Sequence, residues 1–270
     1  MRRLSSLVLG GCAALAVSAG AARAQSTIDL ADVVGNGNGT GTGTDNTGYN
    51  PRNGAYVIGI TSTDNPGVSN VYNVVATEPS GFIDGVFVPD GGLGPTLVSS
   101  TGVTATLPDT SGNSWEPAIG SNAACCGSTL TVGGQPVDFA TGTHSFIGFH
   151  ANKGITFDLD AMRAANPGLT IQNFTATVGN VAPQGSSAFT VLLDGAVAFA
   201  TTATNGGQEA VPVNVAIAGQ RFLTLVATDQ GDYSFDSQIV GDPRLTLVPE
   251  PASLGLLGLG ALALGRRRRA

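Results

Sequence analysis

From Gly54 onward, short apolar runs alternate with turn signals, among them "AYVIGI", "NVYNVVAT", "GFIDGVFV", "SFIGFH", "GITFDL", "IQNFTATV", "SAFTVLL" and "RFLTLVAT". Several alternate with period two, the pattern of a strand with one face buried. Val211, Val213, Val215 and Ile217 point one way, while Asn214 and Ala216 point the other. Pro212 has no N–H to give to a ladder, so this strand belongs at an edge or carries a bulge. Asp194-Gly195 lies between two apolar runs, where a two-residue hairpin needs positive φ. One helical stretch stands out: Ala161 to Ala165, capped by Asp160 and stopped by Asn166-Pro167-Gly168. Many strands and one helical turn predict an all-β fold, an antiparallel β-sandwich.

Composition supports the strands. The 270 residues include 39 Gly and only 11% charged residues, which suits tight turns better than long helices. Residues 35 to 48, "GNGNGTGTGTDNTG", hold too little apolar surface for a core and are expected to form a mobile loop. Seven of the twelve basic residues lie in the end segments. Between them Arg52, Lys153, Arg163, Arg221 and Arg244 face 18 of the 19 acidic residues, a net charge of −13. So acidic a body repels phosphate backbones and anionic lipid, which argues against nucleic acid as a partner.

The two ends carry addressing signals. Arg2 and Arg3, an apolar stretch from Leu4 to Ala21, and Ala22-Arg23-Ala24 read as a signal peptide over residues 1–24, cleaved before Gln25. At the other end an apolar run, Ala252 to Gly265, is shorter than the ~20 residues a spanning helix needs and is followed by Arg266 to Arg269. The arginines hold the C-terminus inside, so the body lies outside. Pro249-Glu250-Pro251, the Leu/Gly/Ala run and the Arg cluster together resemble the PEP-CTERM sorting signal. The resemblance covers residues 249–270. It implies removal of the tail by an exosortase-type sorting protease and a Gram-negative bacterium that makes exopolysaccharide. The membrane is then a partner only through the tail, before processing.

Residues 111–248 carry a second resemblance. "GFHANKGITFDL", "FTATVGN", "SSAFTVLLDGAVAF", "VPVNVAIAGQRFLTLVATD" and "DPRL" come in the order of the NPCBM domain, a carbohydrate-binding family. The matching positions are His150-Ala151, Gly179, Asp194-Gly195 and the run from Gly219 to Asp229. The resemblance implies a jelly roll related to galactose-binding folds, with extracellular polysaccharide as a partner. There are two departures. Asn180-Val181 stands where an acidic residue follows "TVG", and Asp236-Ser237-Gln238-Ile239-Val240 stands for "D-H-A-D-W", without its Trp. Residues 25–110 form an N-terminal β extension with the Gly/Thr-rich loop, either extra strands on the sandwich or a small preceding unit.

Candidate chemistry is sparse. His144 and His150 are the only histidines, and neither a G-x-S-x-G elbow nor an H-E-x-x-H pair is present. The expectation is no enzyme. Asp229, Asp232 and Asp236 fall within one Gly-containing loop and are candidate calcium ligands, calcium taking six to eight oxygens; a solvated acidic loop is the alternative. Trp115 and Tyr233 offer aromatic faces to a sugar ring. His150, at the end of an apolar strand, is the third candidate sugar contact, with a buried structural role as its alternative. In an oxidising compartment Cys125 and Cys126 should not stay free. Their Cα atoms, ~3.8 Å apart, fall short of the usual 4.4–6.8 Å, so they bridge each other under strain or bridge other chains. Three functions follow: an exported glycan-binding protein, a structural matrix protein, and a glycoside-active enzyme.

Overall fold

The computed structural model describes residues 26–59, 64–65, 70–76, 78–91, 94–107, 110, 114–115 and 118–250. The first strands are β1 (Ser26–Asp29), β2 (Thr47–Tyr49), β3 (Tyr56–Ile58), β4 (Asp64–Asn65), β5 (Val71–Val74) and β6 (Ile83–Val88), with α1 (Leu30–Val34) after β1. There follow β7 (Thr96–Leu97), β8 (Thr104–Ala105), β9 (Ser114–Trp115), β10 (Ile119–Ser121), β11 (Thr129–Val132) and β12 (Gln135–Asp138). Next come β13 (Phe146–His150), β14 (Lys153–Asp158), α2 (Leu159–Ala165), β15 (Leu169–Asn180) and β16 (Ser186–Leu193). The last are β17 (Ala196–Ala200), β18 (Thr204–Asn205), β19 (Val211–Ala216), β20 (Phe222–Thr228) and β21 (Ser237–Pro249).

Two antiparallel sheets make the sandwich. Among the described residues one runs β19-β15-β21-β13-β10-β2-β3, with β1 beside β21; the other runs β17-β16-β20-β14-β6-β5, with β18 beside β16. Strands from the N-terminal segment thus lie in both sheets: β1, β2 and β3 in the first, β5 and β6 in the second. The antiparallel β-sandwich anticipated from the strand pattern is the fold observed. Its main core lies between the sheets and takes alternate residues from each, such as Phe174, Ala176 and Val178 of β15 against Leu223, Leu225 and Ala227 of β20.

Both sheets are also covered outside. Leu130 and Phe139, around the β11–β12 hairpin, pack on Phe146 and Ile239. Val98, Ala105 and Leu107 pack on Phe87, Leu192 and Val226. This explains why β20 is buried at every position: a strand covered on both faces reads as a continuous apolar run. Its Thr224 shares a hydrogen bond with Thr156, whose hydroxyl donates to the Val98 carbonyl at 2.6 Å.

Local details follow the sequence closely in places. Asp194 (φ 47°) and Gly195 (φ 84°) make the two-residue hairpin between β16 and β17. β19 lies at a sheet edge with Val213, Val215 and Ile217 buried, and Pro212, opposite Thr177 of β15, has a strand on one side only. Three expectations are corrected. The cap of α2 is Asp158, whose carboxylate accepts from the N–H of Asp160 and Ala161, while Asp160 sits in the first turn paired with Arg163. A second helix, α1, is capped by Asp29. The Gly/Thr-rich loop is anchored: the Asp32 carboxylate accepts the N–H of Gly39 at 2.6 Å and of Gly43 at 2.5 Å.

Candidate functional site

Three loops meet at one pole of the sandwich. The registers His150↔Ser237, Lys153↔Ala227, Asn180↔Gln238 and Ala188↔Thr228 place the β13–β14, β15–β16 and β20–β21 connections side by side. The first consists of Ala151 and Asn152, joined by a cis peptide bond. Main-chain bonds tie the three together. Ala151 N–H donates to the Asp236 carbonyl at 2.9 Å, and Val181 N–H to the Ser237 carbonyl at 2.8 Å.

Below these loops the apolar core gives way to buried polar groups. Asn152, Lys153, Thr228, Asp229, Asp236 and Gln238 are all fully buried, and Asn180 and His150 are 2% exposed. Strand alternation puts them there: Lys153 has the parity of core residues Ile155 and Phe157, and Gln238 that of Val240. Asn152 and Asp229 clasp each other, Asn152 Nδ2 donating to Asp229 Oδ2 at 3.0 Å and Asp229 N–H to Asn152 Oδ1 at 2.8 Å. Ser187 Oγ donates to Gln238 Oε1 at 2.6 Å, and Ser186 N–H to Asp236 Oδ1 at 2.6 Å. Four buried atoms make no hydrogen bond within the described protein: Asn180 Nδ2, Thr228 Oγ1, Asp236 Oδ2 and Gln238 Nε2. Asn180 and Gln238, opposite each other in register, lie where the chain departs from the NPCBM pattern.

Burial moves two of these groups. His150 is pushed down to about 3, first by burial and then by the Lys153 ammonium, against a hydrogen bond to Ala151. The carbonyl of Ala151 lies 3.0 Å from Nδ1, and a carbonyl only accepts, so Nδ1 carries the proton of the neutral ring. Asp236 is pushed up to about 7 by burial; the Ser186 N–H opposes this and the charges of Asp229 and Asp232 add to it.

The rim of the pole is the part a large ligand can reach. Tyr233 is half-buried, Asp232 and Ser234 are exposed, and Phe235 is 52% exposed. Phe235 has φ 63°, an uncommon, strained setting for a bulky side chain. Asp232 Oδ1 accepts from Ser234 N–H at 3.0 Å and Ser234 Oγ at 2.8 Å, which holds its carboxyl below the usual range. Cys125 and Cys126 are bonded to each other; Cys126 is exposed, and Cys125 Sγ lies 3.4 Å from Ser237 Oγ.

The pole therefore gathers His150, Asp229, Asp232, Tyr233, Asp236 and the cysteine pair, but layers them. His150, Asp229 and Asp236 lie inside; Asp232 and Tyr233 lie on the rim. Trp115 is elsewhere in the chain order of the sheets: its backbone lies in β9 beside β4, and its side chain is outside the described residues. Among the described residues no set of three or more His, Cys, Asp or Glu side chains converges as for a metal. Asp229 is engaged with Asn152 and Asp232 with Ser234, so Asp236 Oδ2 is the buried carboxylate oxygen left for a cation. As placed, the three carboxylates fall short of the six to eight oxygens calcium takes. Asn152, Lys153 and Phe235 were not singled out from the sequence. A cation and an amide in an otherwise apolar run were the available signal for the first two.

Pro249 and Glu250 are held by the sandwich: Pro249 pairs with Leu169, and Glu250 N–H donates to the Gly168 carbonyl at 3.1 Å. Pro251 and the leader lie outside the described residues. No helix among the described residues is long and apolar enough to cross a membrane.

Residues 247–269 match the PEP-CTERM protein-sorting motif. Among solved structures, the chain is similar to CBM51 from Clostridium perfringens GH95 in complex with methyl-galactose. The two are 29% identical, over 47% of this chain and 86% of that one, with a TM-score of 0.41. It is also similar to CBM51-2 in complex with GlcNAc, with INT domains, from Clostridium perfringens ZmpB (16% identity, 61% and 40% covered, TM-score 0.40). A third is the tandem CBM51 modules of Sp3GH98 from Streptococcus pneumoniae SP3-BS71 (18% identity, 45% and 36% covered, TM-score 0.36). The match covers under half the length of these last two proteins. No curated protein matches the chain. Residues 100–246, more than half of its length, match the NPCBM/NEW2 domain, and the chain belongs to that family.

Proposed function

We propose that this is an exported, surface- or matrix-associated protein that binds extracellular carbohydrate without turnover and is processed at its tail by an exosortase-type protease. The carrying observation is the direct succession of an NPCBM/NEW2 domain and a sorting motif, meeting at residue 247. The rim of the polar pole supports a shallow site. Tyr233 and Phe235 offer aromatic faces, the exposed disulfide adds a further flat surface, and Asp232 with Ser234 supplies polar atoms. Trp115, in β9 beside β4 and apart from this rim, is a separate candidate sugar contact, and His150 contributes from within by fixing the Ala151 carbonyl under the loop. One or two stacked rings and a few hydrogen bonds correspond to a Kd of about 10 μM to 1 mM, roughly −7 to −4 kcal/mol. Many copies on one surface then multiply weak contacts.

The test is a multivalent glycan array with residues 25–250, run with calcium and with EDTA. Tyr233→Ala, Phe235→Ala and Trp115→Ala should each be compared for binding and for melting temperature; a tenfold loss of binding at unchanged melting marks a sugar contact. Steady release of reducing sugar would overturn the non-catalytic reading. Calcium held by Asp229, Asp232 and Asp236 is part of the proposal, through the orphan Asp236 Oδ2 and a repositioned 229–236 loop. It should stabilise the fold by about 2.7 kcal/mol at a hundredfold excess over Kd. Identical melts in calcium and EDTA would leave the loop as a solvated one.

A purely structural matrix role is the second reading. It is favoured by the burial of all of Asp236 to Val240, which puts no aromatic face at the position of the missing Trp. Silence of the whole array would select it.

A further inference from the structure

β21 is the axis of the molecule. It begins at Ser237 beside His150 and ends at Pro249 beside Leu169, so its 13 residues connect two opposite poles. At ~3.3 Å per residue the poles are about 40 Å apart. The polar pole lies at its start. At its end the chain passes into the sorting tail, and the other terminus is there too, since Ser26 pairs with Leu247. A leader cleaved before Gln25 leaves one residue ahead of that strand. The second pole is completed by α2, by Gly168 and by the turn from Ile217 to Gln220, whose N-terminal N–H bonds to Gln172.

The tail departs without a spacer. Pro249 is a strand residue and Glu250 N–H is bound to Gly168, whereas the apolar run starts at Ala252. Three residues of fully extended chain reach only about 10 Å. As a helix, the run from Ala252 to Gly265 would measure about 21 Å, against a hydrocarbon core of about 30 Å. A stretch this short would be accommodated by thinning of the bilayer or snorkelling of its flanking residues, which leaves its outer flank no distance from the lipid surface. The flank on the outer side is the second pole itself. The charge of that pole adds no attraction, since Arg163 is paired with Asp160 and Arg221 with Asp158, so the contact rests on the short tether alone.

We propose that the pole formed by α2, Gly168 and the end of β21 rests against the lipid surface while the tail is in place. The sandwich then stands upright, with the Asp229–Asp236 loop facing away from the membrane at a height of about 40 Å. This rests on the sorting reading of the tail and not on glycan binding. The tether sets the orientation, and the surface contact follows from its length.

The experiment uses the full chain in vesicles of phosphatidylethanolamine and phosphatidylglycerol with a headgroup-attached quencher. A fluorophore is placed through Ala164→Cys, exposed on α2, or through Ser234→Cys, exposed on the polar pole. The expected result is quenching several-fold stronger at position 164 than at 234. A Gly/Ser spacer of about 20 residues between Glu250 and Pro251, with a root-mean-square reach of about 25 Å, should bring the two to the same low level. Equal or reversed quenching in the native chain overturns the proposal. So does a difference that survives the spacer, which would make the contact a lipid affinity of the surface rather than a tether, and so does a chain that stays off the vesicles. A silent glycan array leaves all these readings unchanged, so the two proposals fail separately.

Discussion

His150 is charged below about pH 6.5 in the unfolded chain, but its folded value near 3 keeps the buried ring neutral. A depressed folded value gives stability that is present above 6.5 and is lost as pH falls toward 3. Asp236 has the opposite sign. Its folded value near 7 against an unfolded 3.8 gives stability present below 3.8 and lost as pH rises through 7. At about 1.4 kcal/mol per pH unit each shift corresponds to about 4–5 kcal/mol at most, and between about pH 4 and 6.5 the two slopes oppose. Thermal melts in EDTA should therefore separate them. Relative to the native chain, His150→Gln should gain stability from pH 7 down to 4, and Asp236→Asn should gain from pH 4 up to 8. In Asp236→Asn the amide oxygen still accepts from Ser186. Parallel offsets at every pH would show that neither group titrates as described. None of this was legible in the sequence. That His150 ends an apolar strand was visible, and so was the acidity of the 229–236 loop. Which of its carboxylates turns inward depends on the register of β21 against β13 and β15, set by residues far away in the chain.

Strand identity was the most legible property, because period two and turn chemistry are local. The β16–β17 hairpin needs only Asp194 and Gly195, and β19 needs only its own alternation. What failed at this scale were elements held by partners. α1 has five residues, too few for a helical period, and is fixed by Asp29 and by packing of Leu30, Ala31, Val33 and Val34. The glycine-rich loop has no apolar content to announce order, yet it closes around Asp32, seven and eleven residues from the amides it receives. Asp32→Ala should release that loop: hydrogen exchange at Gly39 and Gly43 should accelerate, and stability should fall by about 1.5–3 kcal/mol, the scale of hydrogen bonds to a charged acceptor. Asp32→Asn, with one acceptor oxygen in place of two, should fall between. Unchanged exchange in Asp32→Ala would mean that main-chain bonds such as Thr44 N–H to the Gly35 carbonyl hold the loop alone.

At the scale of the whole molecule the body is closed by its ends. β1 pairs with Arg244 to Leu247 along the edge of β21 that β13 does not reach, and β15 pairs with β21 from Asn180 to Leu169. Removing the tail after Glu250 costs the sandwich no ladder bond, whereas a chain stopped at Asp242 would strip β1 of its partner and shorten the central pair. Processing can therefore leave a stable product only near the sorting motif. Mass spectrometry of extracellular protein should find Gln25 as its first residue and no peptide beyond about Pro251. The released form then loses Arg266 to Arg269 and with them the largest cluster of positive charge, so it should migrate as a markedly more acidic species than the precursor. Truncation at Glu250 should leave the melting temperature within about 2 °C of the full chain in detergent, and truncation at Asp242 should abolish the cooperative transition. An extracellular form that still carries the four arginines would sink the sorting reading and with it the upright tether, while leaving the sandwich and its polar pole as they are.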